Sequence, residues 1–207
     1  MPTFDELSER AKERAREHVR GGNQNHDWWE YIYEDADKCA TILGIRISTR
    51  TSPLSHGGSR EDLNLFFSGF GRQGSGACWL GIYNFAPDAC KAIREHAPQD
   101  AELHRIADEL YLLQVTFKLT LGTYLAASVR SIGNGSHSTT MAVEVTREDT
   151  GDEPDEFDPR LPTLMRDFAD WVYSQLEAED EYLNSDECVD EQIHSNGYRF
   201  DEDGSII

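Results

Sequence analysis

Long hydrophobic runs are missing from the 207-residue sequence, and this absence limits where the protein works. No apolar stretch approaches the roughly 20 residues that cross a membrane. The first ten residues, MPTFDELSER, lack both the basic start and the apolar segment of a secretory signal peptide. We therefore expect a soluble, cytoplasmic protein with no membrane partner.

Cysteine is scarce as well. The four cysteines are Cys39, Cys78, Cys90 and Cys188, and no two of them form a CxxC pair. Secreted disulfide frameworks and zinc sites usually show closely spaced cysteines, and none of the seven histidines forms HExxH or lies near a cysteine pair. The pattern favours free, reduced and mostly buried thiols, and it predicts neither a metal nor a cofactor.

Basic residues are few, and the acidic excess is uneven. The chain has 39 Asp and Glu against 19 Lys and Arg, a formal charge of −20. Residues 148–207 alone hold 20 acids and three bases, whereas residues 1–147 are close to neutral at −3. Such a surface repels nucleic acid and anionic membranes and attracts basic proteins, although it also serves solubility alone. We expect no direct binding to nucleic acid.

The apolar spacing predicts an α+β fold. Helical periodicity follows a capping box at Thr3 and Glu6 and recurs before Gly44, after Pro87 and after Asp100. Alternating or β-branched segments indicate strands at residues 45–49, 63–70, 77–83, 114–130 and 139–147, mostly joined as hairpins. These elements predict an antiparallel sheet of four to five strands with amphipathic helices packed around it.

The length and composition predict a single α+β domain over residues 1–207. Within it, residues 148–160 (EDTGDEPDEFDPR) have the composition of an exposed acidic linker. Residues 161–207 are predicted to form an acidic helical region that ends in a small hairpin about Asp203-Gly204.

A glycine-rich segment, FFSGFGRQGSGACW at residues 66–79, contains the spacing GxGxxG. A dinucleotide fingerprint needs a helix after its glycines, but a strand-like segment follows here. The partner motifs of a kinase or of a GK[ST] phosphate loop are absent from the sequence. The glycines therefore predict a turn between strands. As an alternative, Ser68, Arg72 and Gln73 with Trp79 as a wall are a candidate small-ligand site.

No catalytic motif supports an enzyme. The sequence has no GxSxG nucleophile segment and no serine visibly placed with a histidine and an acid. We therefore expect a protein that is not an enzyme.

The helix after Leu161 carries an acidic stripe. At 100° per residue, its members fall within about 80° of one another; they are Asp167, Asp170, Glu177 and Glu181. Helical neighbours three or four residues apart are separated by about 5–6 Å, close to the spacing of phosphates along a nucleic-acid strand. The stripe is thus a candidate partner-binding site that imitates nucleic acid in a basic groove. The alternative is a solvated helix face.

Five segments together resemble a widespread family of uncharacterised phage and prophage proteins. They are FDELSERAKERARE, DWWEYIYEDADK, FFSGFGRQGSGACWLG, YLNSDECVDEQI and YRFDEDG, and they cover nearly the whole chain in order. Some members carry the automatic label of an antitoxin of a toxin–antitoxin stability system. Relatives often have an acidic residue where this chain has Ser75, which weakens any carboxylate-dependent function at the turn.

The resemblance implies a phage-borne accessory protein in the cytoplasm of a bacterial host. With the acidic stripe, it predicts an inhibitor of a basic nucleic-acid-handling defence protein, of the anti-CRISPR or anti-restriction type. Two alternatives stay open: a binding module for a nucleotide signal at the glycine-rich turn, and an antitoxin-like partner of a toxin.

Overall fold

The computed structural model describes residues 1–23, 27–54, 57–133, 135–155 and 158–207. Within these ranges the helices are α1 (Glu9–Asn23), α2 (Glu30–Leu43), α3 (Ala89–His96), α4 (Ala101–Leu121), α5 (Arg160–Leu183) and α6 (Asp186–Asn196). The strands are β1 (Ile45–Ile47), β2 (Thr49–Pro53), β3 (Ser59–Leu63), β4 (Leu65–Phe67), β5 (Ala77–Trp79), β6 (Gly81–Tyr83), β7 (Leu125–Ser131) and β8 (Met141–Arg147). The protein is α+β, as predicted. None of the described helices is long and apolar enough to cross a membrane.

The main sheet has four antiparallel strands in the order β1-β6-β7-β8. Its longest pairing joins β7 to β8 from Leu125↔Arg147 to Ser131↔Met141, which confirms the predicted hairpin. Two further hairpins, β2 with β3 and β4 with β5, form separate two-stranded sheets. The glycine-rich turn connects β4 to β5.

The chain divides into two compact units. Unit 1 consists of Met1–Tyr31 and Gln175–Ile207, and unit 2 of Ile32–Ser174. All eight strands belong to unit 2, together with α3, α4 and most of α2. The division falls within α5, after Ser174.

Unit 1 is built on the apolar face of α1 and on α6. Thr3 and Glu6 form the predicted capping box, in which Glu6 Oε2 accepts a 2.7 Å hydrogen bond from the backbone N–H of Thr3. The buried cluster consists of Phe4, Leu7, Ala11, Ala15, Val19, Val189, Ile193 and Phe200. The tail folds back through a bridge between Phe200 and Ile206, at the position predicted for a hairpin.

The predicted strand over residues 114–130 is wrong in its first half, because α4 continues to Leu121. The helix ends at Gly122, whose φ of 74° suits a glycine. Gln114 is fully buried in unit 2, where its Oε1 accepts a 2.8 Å hydrogen bond from the backbone N–H of Leu125 and its Nε2 donates to the same residue's carbonyl. Tertiary burial of this face therefore outweighs the β-propensity of its Val and Thr residues.

Candidate functional site

The acidic stripe lies on α5, and its four members have different surroundings. They are Asp167, Asp170, Glu177 and Glu181. Asp167 is partly buried, and its Oδ2 accepts a 2.7 Å hydrogen bond from Nη2 of Arg105 on α4. Arg105 also pairs with Glu102 and Glu109 of its own helix. Asp167 is therefore engaged inside unit 2, where it shares Arg105 with two other acids, and it is the stripe member least suited to an external contact.

The remaining three stripe residues are more open to solvent. Asp170 is exposed on unit 2, Glu181 is exposed on unit 1, and Glu177 is partly exposed on unit 1. Among the described side chains, no base forms an ion pair with these three carboxylates. Within the described part of the chain, no ion pair offsets their charge.

Four of the five Lys and Arg residues of α1 form ion pairs inside unit 1. This unit holds 18 acids and six bases, a formal charge of −12, against −8 for the larger unit 2. Arg16 donates from Nε and Nη2 to the two carboxylate oxygens of Asp190 on α6, both at 2.7 Å. Arg20 pairs with Asp186, and Arg14 donates to Asp203 at 2.6 Å. The acids of α6 that face α1 are thus paired with Arg16 and Arg20, which Glu13 of α1 also contacts, and these bases are not available to offset the others.

Five glutamates at the end of α5 and on α6 form the second half of the pattern, and one of them, Glu179, accepts a hydrogen bond from the hydroxyl of Tyr31. We call Glu177, Glu179, Glu181, Glu187 and Glu191, from the end of α5 and from α6, the acidic surface. Tyr182 is half-exposed there, and the pKa of its hydroxyl is raised chiefly by the charges of Cys188 and Glu191. Glu187 and Glu179 raise the same pKa further. Carboxylates from both helices therefore act on one exposed side chain.

The predicted acidic linker, residues 148–160, is mostly exposed where it is described; residues 156 and 157 lie outside the described residues. Two of its acids pair with neighbouring arginines. Asp149 contacts Arg147, and the hydrogen bond from Arg160 lowers the pKa of Asp158. The segment contributes charge to unit 2 but gathers no site of its own among the described residues.

The glycine-rich turn is a hairpin loop held by its own polar groups. The Ser68 hydroxyl donates to the carbonyl of Gly74 at 3.2 Å, and the Ser75 hydroxyl accepts from the backbone N–H of Arg72 at 3.2 Å. Gly74 has a φ of 88°, which explains the glycine there. Arg72 and Gln73 are exposed.

Trp79 does not wall a ligand site at this turn, contrary to the prediction. It is fully buried, its Nε1–H donates a 3.0 Å hydrogen bond to the carbonyl of Met165, and its ring meets Phe168 edge-on. All three residues of β5 are buried, and the Trp79 side chain packs against Met165 and Phe168 of α5. The ligand hypothesis at the turn is left with three exposed side chains, Ser68, Arg72 and Gln73.

A cavity of about 630 Å³ lies within unit 1, between the C-terminal end of α1, α6 and the tail. Its polar lining consists of His18, Asn23, Trp28, Gln192, Asn196 and Tyr198, and apolar side chains include Leu183 and Ile206. The amide nitrogens donate to groups of the protein itself: Asn23 to Leu183, Gln192 to Cys188 and Asn196 to Gln192. Among the described residues the lining holds three amides, the His18 imidazole and the rings of Trp28 and Tyr198, and it includes no Lys, Arg, Asp or Glu.

A mixed cluster of metal-binding side chains lies in unit 2. Asp35 and Cys39 are one turn apart on α2, and His96 is the last residue of α3. His96 Nε2 lies 3.1 Å from Asp35 Oδ1, and Cys39 Sγ lies 4.0 Å from Asp35 Oδ2. All three ligand atoms are within 4.8 Å of one another.

Sequence reasoning missed both the cavity and this cluster, because each is assembled from distant segments. His96 follows Asp35 by 61 positions, so no local spacing marks the pair. The cavity combines residues 18–28 with residues 183–206. The i, i+4 spacing of Asp35 and Cys39 was the one local signal in the sequence.

Comparison with known proteins gives a family. A family profile described as "Domain of unknown function (DUF8835)" matches residues 28–186, about three quarters of the chain. The chain therefore belongs to the DUF8835 family. No curated protein and no solved structure matches it, so the resemblance to phage and antitoxin proteins stays a prediction.

Proposed function

We propose that this member of the DUF8835 family is a non-enzymatic interaction protein that uses the acidic surface of unit 1 to bind a basic, nucleic-acid-handling protein. Such binding would inhibit the partner, because a basic groove occupied by this protein cannot bind nucleic acid at the same time. The setting we propose is the cytoplasm of a bacterial host, with a phage-derived gene and a defence protein as target.

The observation that carries the proposal is the asymmetry of α6. Asp186 and Asp190 face α1 and are paired with Arg20 and Arg16. Glu187 and Glu191, each one residue further on, are exposed. The helix α6 has no Lys or Arg of its own, and the arginines of α1 reach only one side of it, so the exposed Glu187 and Glu191 present one sign of charge to an incoming molecule.

The spacing of these charges fits a groove that normally holds phosphates. Glu177 and Glu181 are one helical turn apart on α5, as are Glu187 and Glu191 on α6, which gives separations of about 5–6 Å. A partner's Lys and Arg residues would release the same counterions as when they bind nucleic acid. Exposed Tyr182 adds an aromatic side chain of the kind enriched at interface centres.

Capture of partners from bacterial lysate tests the proposal with a charge-matched control. The surface variant carries Glu177→Gln, Glu181→Gln, Glu187→Gln and Glu191→Gln. The control carries Glu148→Gln, Asp152→Asn, Glu153→Gln and Asp155→Asn, four exposed acids of the linker on unit 2. Both variants lose four negative charges, so general electrostatics are equal and only the location differs.

Wild type and the linker variant are expected to capture the same basic protein, and the surface variant to lose it. Equal capture by all three proteins contradicts the proposed surface. If the captured protein is a basic toxin, the antitoxin-like alternative is correct, and the acidic surface is still the binding site. The same assay with Asp170→Asn tests whether that stripe residue contributes from unit 2.

The cavity of unit 1 favours a second candidate function, the binding of a small ligand. Amide oxygens need donors, and the rings of Trp28 and Tyr198 suit a flat heterocycle. A nucleoside with an amino group meets both needs. A nucleotide does not, because the described part of the lining holds no Lys or Arg to meet a phosphate and unit 1 is strongly negative.

Thermal unfolding with adenosine, cytidine and their monophosphates tests this second function. The nucleosides are expected to raise the midpoint temperature of unfolding, and the monophosphates are expected to leave it unchanged. Asn196→Ala, in the lining, should remove the shift, whereas Ser195→Ala, exposed on the same helix, should keep it. If the rise in midpoint temperature is instead lost on substitution of Arg72 and Gln73, the ligand binds at the glycine-rich turn.

A further inference from the structure

The one mixed set of thiol, imidazole and carboxylate found among the described residues lies where α2 meets the end of α3. These three groups are the ones that zinc accepts in proteins. They belong to unit 2 and are separate from the acidic surface and from the cavity.

The distances are close to those of a metal centre. Zn–N and Zn–O bonds of about 2.0–2.2 Å and a Zn–S bond of about 2.3 Å place tetrahedral ligands about 3.3–3.6 Å apart. The observed separations are 3.1 Å from His96 Nε2 to Asp35 Oδ1 and 4.0 Å from Cys39 Sγ to Asp35 Oδ2. Asp35 has the freedom to adjust, since its side chain is 55% exposed.

The three side chains of the cluster differ in their exposure to solvent. Cys39 is fully buried, whereas His96 and Asp35 reach solvent, so an ion would enter from their side. Burial raises the pKa of the Cys39 thiol to about 12, and the charges of Asp35 and Asp100 act in the same direction. Both Asp100 oxygens are engaged, Oδ1 by the backbone N–H of Leu103 and Oδ2 by Trp171 Nε1–H, so it contributes charge rather than a bond.

We propose that Asp35, Cys39 and His96 bind one zinc-class divalent metal ion, with a water molecule in the fourth position. A site with three protein ligands and one open position differs from the closed four-ligand sites that hold small folds together. The ion would tie α2 to α3 within unit 2. The competing interpretation is a plain ion pair between Asp35 and His96 above a buried cysteine.

Cobalt titration of the untagged, chelator-treated full chain distinguishes a metal site from a plain ion pair. Co²⁺ occupies zinc sites, and its thiolate charge-transfer absorption reports a bond to cysteine. Wild type is expected to bind one equivalent with this absorption, and added Zn²⁺ should displace it. A wild-type protein that shows no thiolate absorption overturns the proposal.

Variants separate the cluster from other thiols and imidazoles. Asp35→Asn and His96→Gln, both at solvent-reaching positions, should weaken cobalt binding at least as much as the 10–100-fold that loss of an outer-shell partner costs. Cys39→Ser should abolish the thiolate absorption. The controls are Cys90→Ser and His104→Gln, whose side chains contact the carbonyls of Ala107 and Ala97 instead, and they should bind as wild type does.

Undiminished binding by Asp35→Asn and His96→Gln would overturn the assignment even if the wild type binds metal. These two variants also keep the test valid if Cys39→Ser does not fold. Far-UV circular dichroism without metal confirms that each variant retains its helices.

Discussion

Arg16 on α1 and Asp190 on α6 are joined by two parallel hydrogen bonds of 2.7 Å. The guanidinium also lies over the ring of Phe4, 5.5 Å from its centroid. Both partners are largely withdrawn from solvent, with side chains 15% and 29% exposed. This pair fastens α6 to α1, whereas Glu187 and Glu191 of α6 are exposed.

We predict that Arg16→Ala lowers the free energy of unfolding by about 1.5–3 kcal/mol, the range for hydrogen bonds to charged groups. Arg16→Lys should cost less, about 1 kcal/mol, because lysine keeps the charge but cannot form the two-pronged contact. Urea unfolding measures both. Arg10→Ala, an exposed arginine of the same helix, is the control and should change stability by less than about 0.5 kcal/mol.

The same pair predicts a pH dependence. The hydrogen bonds from Arg16 lower the pKa of Asp190, so its contribution to stability is fully present above the unfolded value of about 3.9 and is lost as pH falls through the folded value. The stability difference between wild type and Asp190→Asn should thus be constant near neutrality and shrink below about pH 4. A difference that stays constant in acid would contradict the pairing.

Two neighbouring acids of the stripe should respond differently. Asp167→Asn removes an ion pair with Arg105 and is expected to lower the free energy of unfolding by about 0.5–1 kcal/mol, since both groups keep partial contact with water. Asp170→Asn should change it by less than about 0.5 kcal/mol. Equal changes in the free energy of unfolding, measured with denaturant, would show that the ion pair of Asp167 does not contribute to stability.

Trp79 provides a test of the glycine-rich turn. Trp79→Phe leaves the buried carbonyl of Met165 without its donor and opens a small cavity, so a loss of about 2 kcal/mol is expected. Arg72→Ala and Gln73→Ala, both exposed, should each cost less than about 0.5 kcal/mol. Unfolding curves that rank these variants in the opposite order would place Trp79 outside the core.

The parts of the fold that depend on local periodicity could be predicted from the sequence. The apolar face of α1 and the pairing of β7 with β8 are confirmed, because both follow from spacing within a short segment. The start of β7 was misplaced because the burial of Gln114 is a tertiary effect. Local pattern gave no sign of it.

The candidate sites were harder to predict for the same reason. Helical geometry placed the acidic stripe on one face, but only the fold shows that Arg105 pairs with Asp167 and that Arg16 pairs with Asp190. Exposure of a charge depends on which distant base reaches it. The sequence records the charges but not their pairing.

The most direct test of the proposed function is competition between DNA and the captured partner's complex with this protein, followed across a range of salt concentrations. The acidic surface predicts that a short DNA duplex displaces the protein and that the logarithm of the binding constant falls steeply with the logarithm of salt concentration. The four-charge surface variant should show a shallower slope than the linker variant. A ternary complex with DNA, or binding that is insensitive to salt, would contradict the claim that this surface occupies a nucleic-acid groove.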